Sequence, residues 1–488
     1  MSDKQPEPEK LEPKDNLSVT QHSLTTGGET LSYTATTGTL VLREEVEDEG
    51  AFMGHKPKAS VFITAYTKDG VDDLAKRPIT FSFNGGPGSS SVWLHLGVFG
   101  PRKVQMNEDD TSPTKPPFGL TDNAFTLLKH SDLVFIDPVS TGFSRPAEGE
   151  KAEQFHTLKR DVETVAEVIR LYTSRNGRWA SPKFLAGESY GTTRAALLSS
   201  HLQRERGMYL NGLVLVSSIL NFQTVLSAPG NDLPFALFLP SFTAAAHYHG
   251  CLPKRLQDKP LGDVLKEAGA FALGEYATLL LKGSSLSGSE EKRLTRKLAD
   301  FTGLSQDYVR QTNHRVNIHR FVKALLREQR KTVGRLDARV TGRDLDAAGE
   351  QAEADPSLDL ITGPYGGAFN HYVRAELRFE NDLPYEILKS IYKTWRFEKD
   401  NQYTDVAEEL RKAFQANPHL RVYVANGLYD LATPFLATEY TFDHLGLPAE
   451  LRGNIELAYF EAGHMMYTHP ASLEKLSADV GRFVRNSS

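Results

Sequence analysis

One serine in this chain sits between glycines placed two residues to either side, in Gly187-Glu188-Ser189-Tyr190-Gly191. That spacing suits a strand turning sharply into a helix, because a side chain at either flank would collide with neighbouring backbone. A hydroxyl on such a turn becomes a nucleophile only if a base removes its proton and a carboxylate orients that base. Two late segments supply both partners. Residues 421–427 (RVYVANG) run into Leu428-Tyr429-Asp430, and residues 455–461 (IELAYFE) run into Ala462-Gly463-His464-Met465. The order Ser189, Asp430, His464, each in a loop after a strand, is the order such a triad requires. Of 15 histidines, His444 and His469 lie nearby, but His464 directly follows the last apolar run behind a glycine. Asp443 and Glu461 compete with Asp430, yet neither falls in the loop after the penultimate run.

Acyl transfer also needs donors for the oxyanion, and glycines let backbone approach a substrate oxygen. Residues 79–84 (ITFSFN) continue into Gly85-Gly86-Pro87-Gly88-Ser89-Ser90-Ser91. We assign the N–H groups of Gly86 and Tyr190 to the oxyanion hole. A phosphate-binding loop does not fit, since Pro87 removes a donor and no Lys-Ser or Lys-Thr follows.

The elements that must hold these residues are short apolar runs ending at Gly, Asn, Asp or Glu. They are residues 79–84, 132–137, 183–188, 212–218, 421–427 and 455–461. Such runs suit strands buried on both faces of a parallel sheet. Apolar stripes over residues 161–172 and 406–414 read as helices between them, so the pattern predicts a mostly parallel, doubly wound α/β sheet. Before it, alternating segments at 31–36, 40–43 and 60–66 predict antiparallel strands at a sheet edge. From 233 to 369 the alternation stops and charged helical stretches such as 290–301 and 319–331 take over, with no repeat at a solenoid period. The expected organisation is a disordered charged tail over 1–24, a first core part over 25–232, a mainly helical cap insertion over 233–369, and a second core part over 370–488.

Composition narrows the function. A formal net charge of -6, from 56 basic and 62 acidic residues, is too mild to imply nucleic-acid or membrane-surface binding. No apolar run approaches the roughly 20 residues of a membrane span. Cys251 is the only cysteine, which rules out an intrachain disulfide and a cysteine-based metal site. With no apolar leader at the N-terminus, these features predict a cytoplasmic protein without metal or cofactor.

Four pieces together resemble the serine carboxypeptidase family of the α/β-hydrolase superfamily, in its bacterial-type form. They are Asn84-Gly85-Gly86-Pro87-Gly88-Ser89-Ser90, the stretch from Asp137-Pro138-Val139 to Thr141-Gly142-Phe143-Ser144, Gly187-Glu188-Ser189-Tyr190-Gly191, and Gly463-His464-Met465. The resemblance runs from about Phe81 to His464. It implies an α/β-hydrolase fold and removal of C-terminal residues from peptides. It also implies that Asn84 and Glu188, with backbone near Gly85, bind the substrate's terminal carboxylate. An ionised Glu188 would repel that carboxylate whereas a protonated one can donate to it, so peptide binding should favour acidic pH. The motifs themselves contain no cationic clamp.

The chain departs from the family pattern in several places. Ser82 stands where many relatives have Trp, and Ser89 where a Cys is common. The Gln after Asp137 is missing, Ser140 replaces a Gly, and Met466-Tyr467 ends the histidine motif differently. None touches the triad, but Ser82 bears on carboxylate binding and Tyr467 on the leaving-group pocket. The expected partner is a peptide with a free C-terminus. The alternatives are an esterase or acyltransferase on the same fold, and a non-catalytic binding protein.

Overall fold

Strands come first, because they place every loop that matters. The computed structural model describes residues 13–397 and 400–488 of the chain. Three long antiparallel strands open it: β1 (Asn16–Thr26), β2 (Glu29–Asp48) and β3 (Ala51–Lys68). Each hairpin closes through two residues of positive φ, Gly27-Gly28 and Glu49-Gly50, the turn that matches strand twist. The expected tail over 1–24 is therefore corrected in part. Residues 1–12 lie outside the described residues, but Asn16 already pairs with Thr39. The segments at 31–36 and 40–43 are one strand, not two. Gly38 between them is no turn, since it stays in register with Leu17 and Ile63. Its glycine is needed because a Cβ there would overlap the backbone of Asn16.

All six expected apolar runs form parallel strands: β4 (Ile79–Phe83), β5 (Asp132–Ile136), β6 (Lys183–Glu188), β7 (Gly212–Val216), β8 (Arg421–Gly427) and β9 (Ile455–Phe460). The sheet order is β1-β2-β3-β5-β4-β6-β7-β8-β9, with a tenth short strand, Arg145–Pro146, beside β3. β9 is buried only at alternate positions because it is the edge strand. The central strands divide their residues between two apolar layers. Phe184, Ala186, Val214, Val216, Tyr423 and Ala425 face one layer, which also takes in helices α5 (Pro356–Ala375) and α7 (Pro470–Ser487). Leu185, Leu213, Leu215, Val422 and Val424 face the other, packed on α1 (Leu158–Arg175), α2 (Tyr190–Arg206) and α6 (Ala407–Ala416). This is the doubly wound α/β-hydrolase architecture. The chain moves from β4 outward to β5 and then returns to β6 on the other side, so the loops after β4 and β6 meet at the carboxyl edge of the sheet.

The middle of the chain is helical, as its pattern predicts. From α3 (Leu233–Tyr248) through α4 (Gly288–Thr302) to Phe321 it builds a third apolar cluster, around Phe242, Val264, Leu298, Val309 and Phe321. Two two-residue strands, Thr332–Val333 and Thr341–Gly342, also pair there. The expected boundary at 369 falls inside α5, whose apolar face belongs to the sheet layer. The return to the core therefore precedes that helix, and α5's stripe is a core stripe.

Candidate active site

The turn between β6 and α2 holds Ser189 at φ 59°, ψ −128°, a region non-glycine residues seldom occupy. Such strain costs of order 1–3 kcal/mol and persists only where the surroundings enforce it. Here the Ser189 amide donates to Val216 O at 3.0 Å, and the Ser189 carbonyl accepts from Thr192 N at 2.8 Å. Both flanking glycines are forced. A Cβ on Gly187 would overlap the Gly191 carbonyl, and one on Gly191 would stand 2.8 Å from Phe83 O. Below the turn, Arg194 of α2 makes a buried two-pronged pair with Asp161, at 2.8 and 3.1 Å, and donates to Asn84 O at 2.6 Å. One guanidinium thus ties the elbow helix to the neighbouring loop.

His464 and Asp430 meet as their spacing predicts. His464 Nδ1 and Asp430 Oδ2 are 2.7 Å apart. Asp430 is fully buried and also accepts from Ala432 N at 2.7 Å, Thr433 N at 3.0 Å and the Thr433 hydroxyl at 2.6 Å. Burial pulls the imidazole pKa down, but the charge and hydrogen bond of Asp430 outweigh it and leave His464 raised. His464 is also held through its backbone. Its amide donates to Leu336 O at 2.6 Å, and its carbonyl accepts from the Ser217 hydroxyl at 2.6 Å.

The loop after β4 lies against the elbow. A Cβ on Gly85 would strike Tyr190 N and come within 2.7 Å of Glu188 O, which explains why the residue is glycine. Gly86 takes φ 99°. Among the described residues, neither the Gly86 nor the Tyr190 amide donates to a protein acceptor. Asn84 Nδ2 donates to Glu188 Oε1 at 2.8 Å, and the Tyr467 hydroxyl donates to Glu188 Oε2 at 2.6 Å. Burial pushes the Glu188 carboxyl up to about 7, against the pull of His464 and of these two donors.

A cavity of about 140 Å³ is bordered by Asn84, Gly85, Gly86, Glu188, Ser189 and His464. Six of the eight expected site residues thus share one space, Asp430 stands behind His464, and Tyr190 opens α2 directly after Ser189 without bordering the cavity. Ser189 and His464 border the cavity without a hydrogen bond between them. Catalytic hydrogen bonds of this kind commonly tighten only when substrate is bound. A larger groove of about 1300 Å³ between β2 and α1 shares no residue with this site.

Sequence reasoning missed several neighbours. Trp93 borders the cavity, and its indole N–H donates to the Ser89 hydroxyl at 2.6 Å, so the serine in place of a cysteine has a polar task. Ser140, in place of a glycine, does take positive φ, at 78°, with its hydroxyl 2.9 Å from His156 Nε2. Tyr467 was legible only as a departure. Arg335, which borders the cavity from the inserted region, had no signal at all.

The family model for serine carboxypeptidases matches residues 53–458. No curated protein matches the chain. Among solved structures, the prohormone-processing carboxypeptidase Kex1 from Saccharomyces cerevisiae is similar at 15% identity, over 93% of this chain and 91% of that one, with a TM-score of 0.55. A peroxisomal α/β-hydrolase, Lpx1, from the same yeast matches at 10% identity, over 97% and 91% of the two chains, with a TM-score of 0.34. Juvenile hormone epoxide hydrolase from Bombyx mori matches at 11%, over 93% and 79%, with a TM-score of 0.33. With its α/β-hydrolase fold and a family match over most of its length, the chain belongs to the serine carboxypeptidase family of serine peptidases.

Proposed function

We propose that this enzyme releases the C-terminal amino acid of peptides through an acyl-enzyme on Ser189. The observation that carries the reading is Glu188, a buried carboxyl with its pKa raised to about 7, bordering the same cavity as Ser189 and His464. A protonated Glu188 with Asn84 offers donors to a terminal carboxylate, which few other reactions would need.

In the acylation half, His464 Nε2 takes the Ser189 proton as Oγ bonds to the last peptide carbonyl carbon. The Nδ1–H directed at Asp430 leaves Nε2 as the accepting nitrogen. Gly86 and Tyr190 amides hold the oxyanion. The C–N bond then breaks, and His464 gives its proton to the departing amine. In the second half water attacks the ester carbonyl and loses a proton to His464, and the C–Oγ bond breaks as Ser189 regains a proton. The free peptide terminus is the substrate handle, and no metal or cofactor enters any step.

Among the described residues no helix is long and apolar enough to cross a membrane. The single cysteine, Cys251, supports a reducing compartment such as the cytoplasm, which fractionation with a tagged chain would test.

The deciding measurement is hydrolysis of an N-blocked dipeptide as free acid, as C-terminal amide and as ester. Carboxypeptidase action predicts turnover of the free acid, refusal of the amide, and fluorophosphonate labelling that disappears in Ser189→Ala. Turnover of the ester alone would favour an esterase or acyltransferase, and no labelling at all would favour a binding protein.

A further inference from the structure

Among the described residues bordering the cavity, Arg335 is the only one with a fixed positive charge. It belongs to the inserted region rather than to the sheet-edge loops. Its backbone is anchored independently of its side chain: the amide donates to Asp355 Oδ1 at 3.0 Å, and the carbonyl accepts from Leu431 N at 3.0 Å. The guanidinium is held loosely. Its nearest acid is Asp355, with Nε to Oδ2 at 3.5 Å, and the side chain is 43% exposed. A pair this open contributes little to stability. Asp355 has other donors, since its Oδ1 also accepts from Ser357 N at 3.1 Å and the Ser357 hydroxyl at 2.5 Å. Among the described residues, the two terminal nitrogens of Arg335 have no protein acceptor. The charge reaches the chemistry, because it acts on His464 to lower its pKa.

From this placement we infer that Arg335 selects substrates carrying a second anion beside the scissile bond, an aspartate or glutamate side chain at the last or the penultimate position. The inference rests on the carboxypeptidase reading, in which Asn84 and Glu188 already take the terminal carboxylate. A guanidinium fork matches a second carboxylate with two parallel hydrogen bonds, a geometry lysine cannot reproduce. Leu336, Leu358 and Ile361 border the same space and offer apolar surface to the methylenes of such a side chain.

The test uses the full-length enzyme near pH 6, where a glutamate side chain is ionised. N-blocked dipeptides bearing Glu or its isostere Gln are compared, in one series at the last position and in another at the penultimate one. The expected kcat/KM ratio, Glu over Gln, is roughly 10 to 100 in one series, as one charge-assisted interaction supplies. The series that shows it identifies the position read. Arg335→Gln should bring the ratio close to one, Arg335→Glu should invert it, and Arg335→Lys should retain part of it, separating lost charge from lost folding. A wild-type ratio near one in both series, or a preference that survives Arg335→Gln, overturns the inference while leaving the carboxypeptidase reading intact. If the wild-type enzyme cleaves neither the Glu nor the Gln peptides of either series, the carboxypeptidase reading fails and this inference falls with it.

Discussion

The loops at the sheet edge and the helical insertion meet over one cavity, and they contribute different things to it. The sheet side supplies groups whose chemistry is set by neighbours in sequence: a strained serine, an imidazole behind a glycine, and a carboxylate with its own turn. The insertion supplies Arg335 and Leu336 at the rim, Arg335 held through its backbone by Asp355 and Leu431, and Leu336 packed against the sheet layer with its carbonyl on the His464 amide. On the proposed reading, the reaction belongs to the sheet side, and Arg335 on the insertion side adds to the choice of substrate. Substitutions on the two sides should accordingly fail in different ways.

The strongest break comes from the nucleophile. Ser189→Ala should lower kcat by several powers of ten on every peptide tried, in a single-turnover or steady-state assay. Asp430→Asn should follow at about 10⁴-fold, because the amide favours the wrong imidazole tautomer. If either variant instead changed only which peptides are cleaved, the division of labour drawn above would collapse.

Beneath the elbow, Arg194→Met would leave Asp161 buried without its partner. Loss of one member of such a pair costs about 3–5 kcal/mol, readable as a lower denaturation midpoint. A midpoint shift under about 1 kcal/mol would mean that the elbow does not depend on this tie.

A smaller effect sharpens the comparison through pH. If peptide binding uses protonated Glu188 as proposed, it should weaken as pH rises through about 7. The proposed mechanism needs neutral His464, whose raised pKa should remove activity on the acid side. The two groups influence each other, so the resulting bell belongs to the pair. Glu188→Gln should abolish the alkaline limb for peptides and, because the Glu188 charge helps to raise His464, move the acid limb of peptide and ester profiles alike to lower pH. The smallest effect expected is from Tyr467→Phe, which removes one donor from Glu188. The carboxyl pKa should rise further, moving the alkaline limb to higher pH by less than one unit.

What could be read from the chain follows the same line. Strand runs, glycines and the Ser–Asp–His order are local patterns, and each maps onto a turn whose geometry a Cβ would spoil. The segments at 31–36 and 40–43 are joined through Gly38, a glycine demanded by the close approach of Asn16, which the sequence around it does not reveal. The end of the insertion was misplaced because the apolar stripe of α5 does not reveal which cluster it will join. Arg335 lies far along the chain from every motif, and a single surface-type residue gives no pattern until the fold brings it beside His464.

The stretch 334–340 gives the insertion a second significance. Ala338 N and Arg335 O bond to Tyr429 and Leu431, on either side of Asp430, while Leu336 O receives the amide of His464. An engineer who exchanged this insertion for another to obtain new selectivity would also remove the brace between Asp430 and His464. A working chimera should therefore carry these seven residues across unchanged and cut only beyond them.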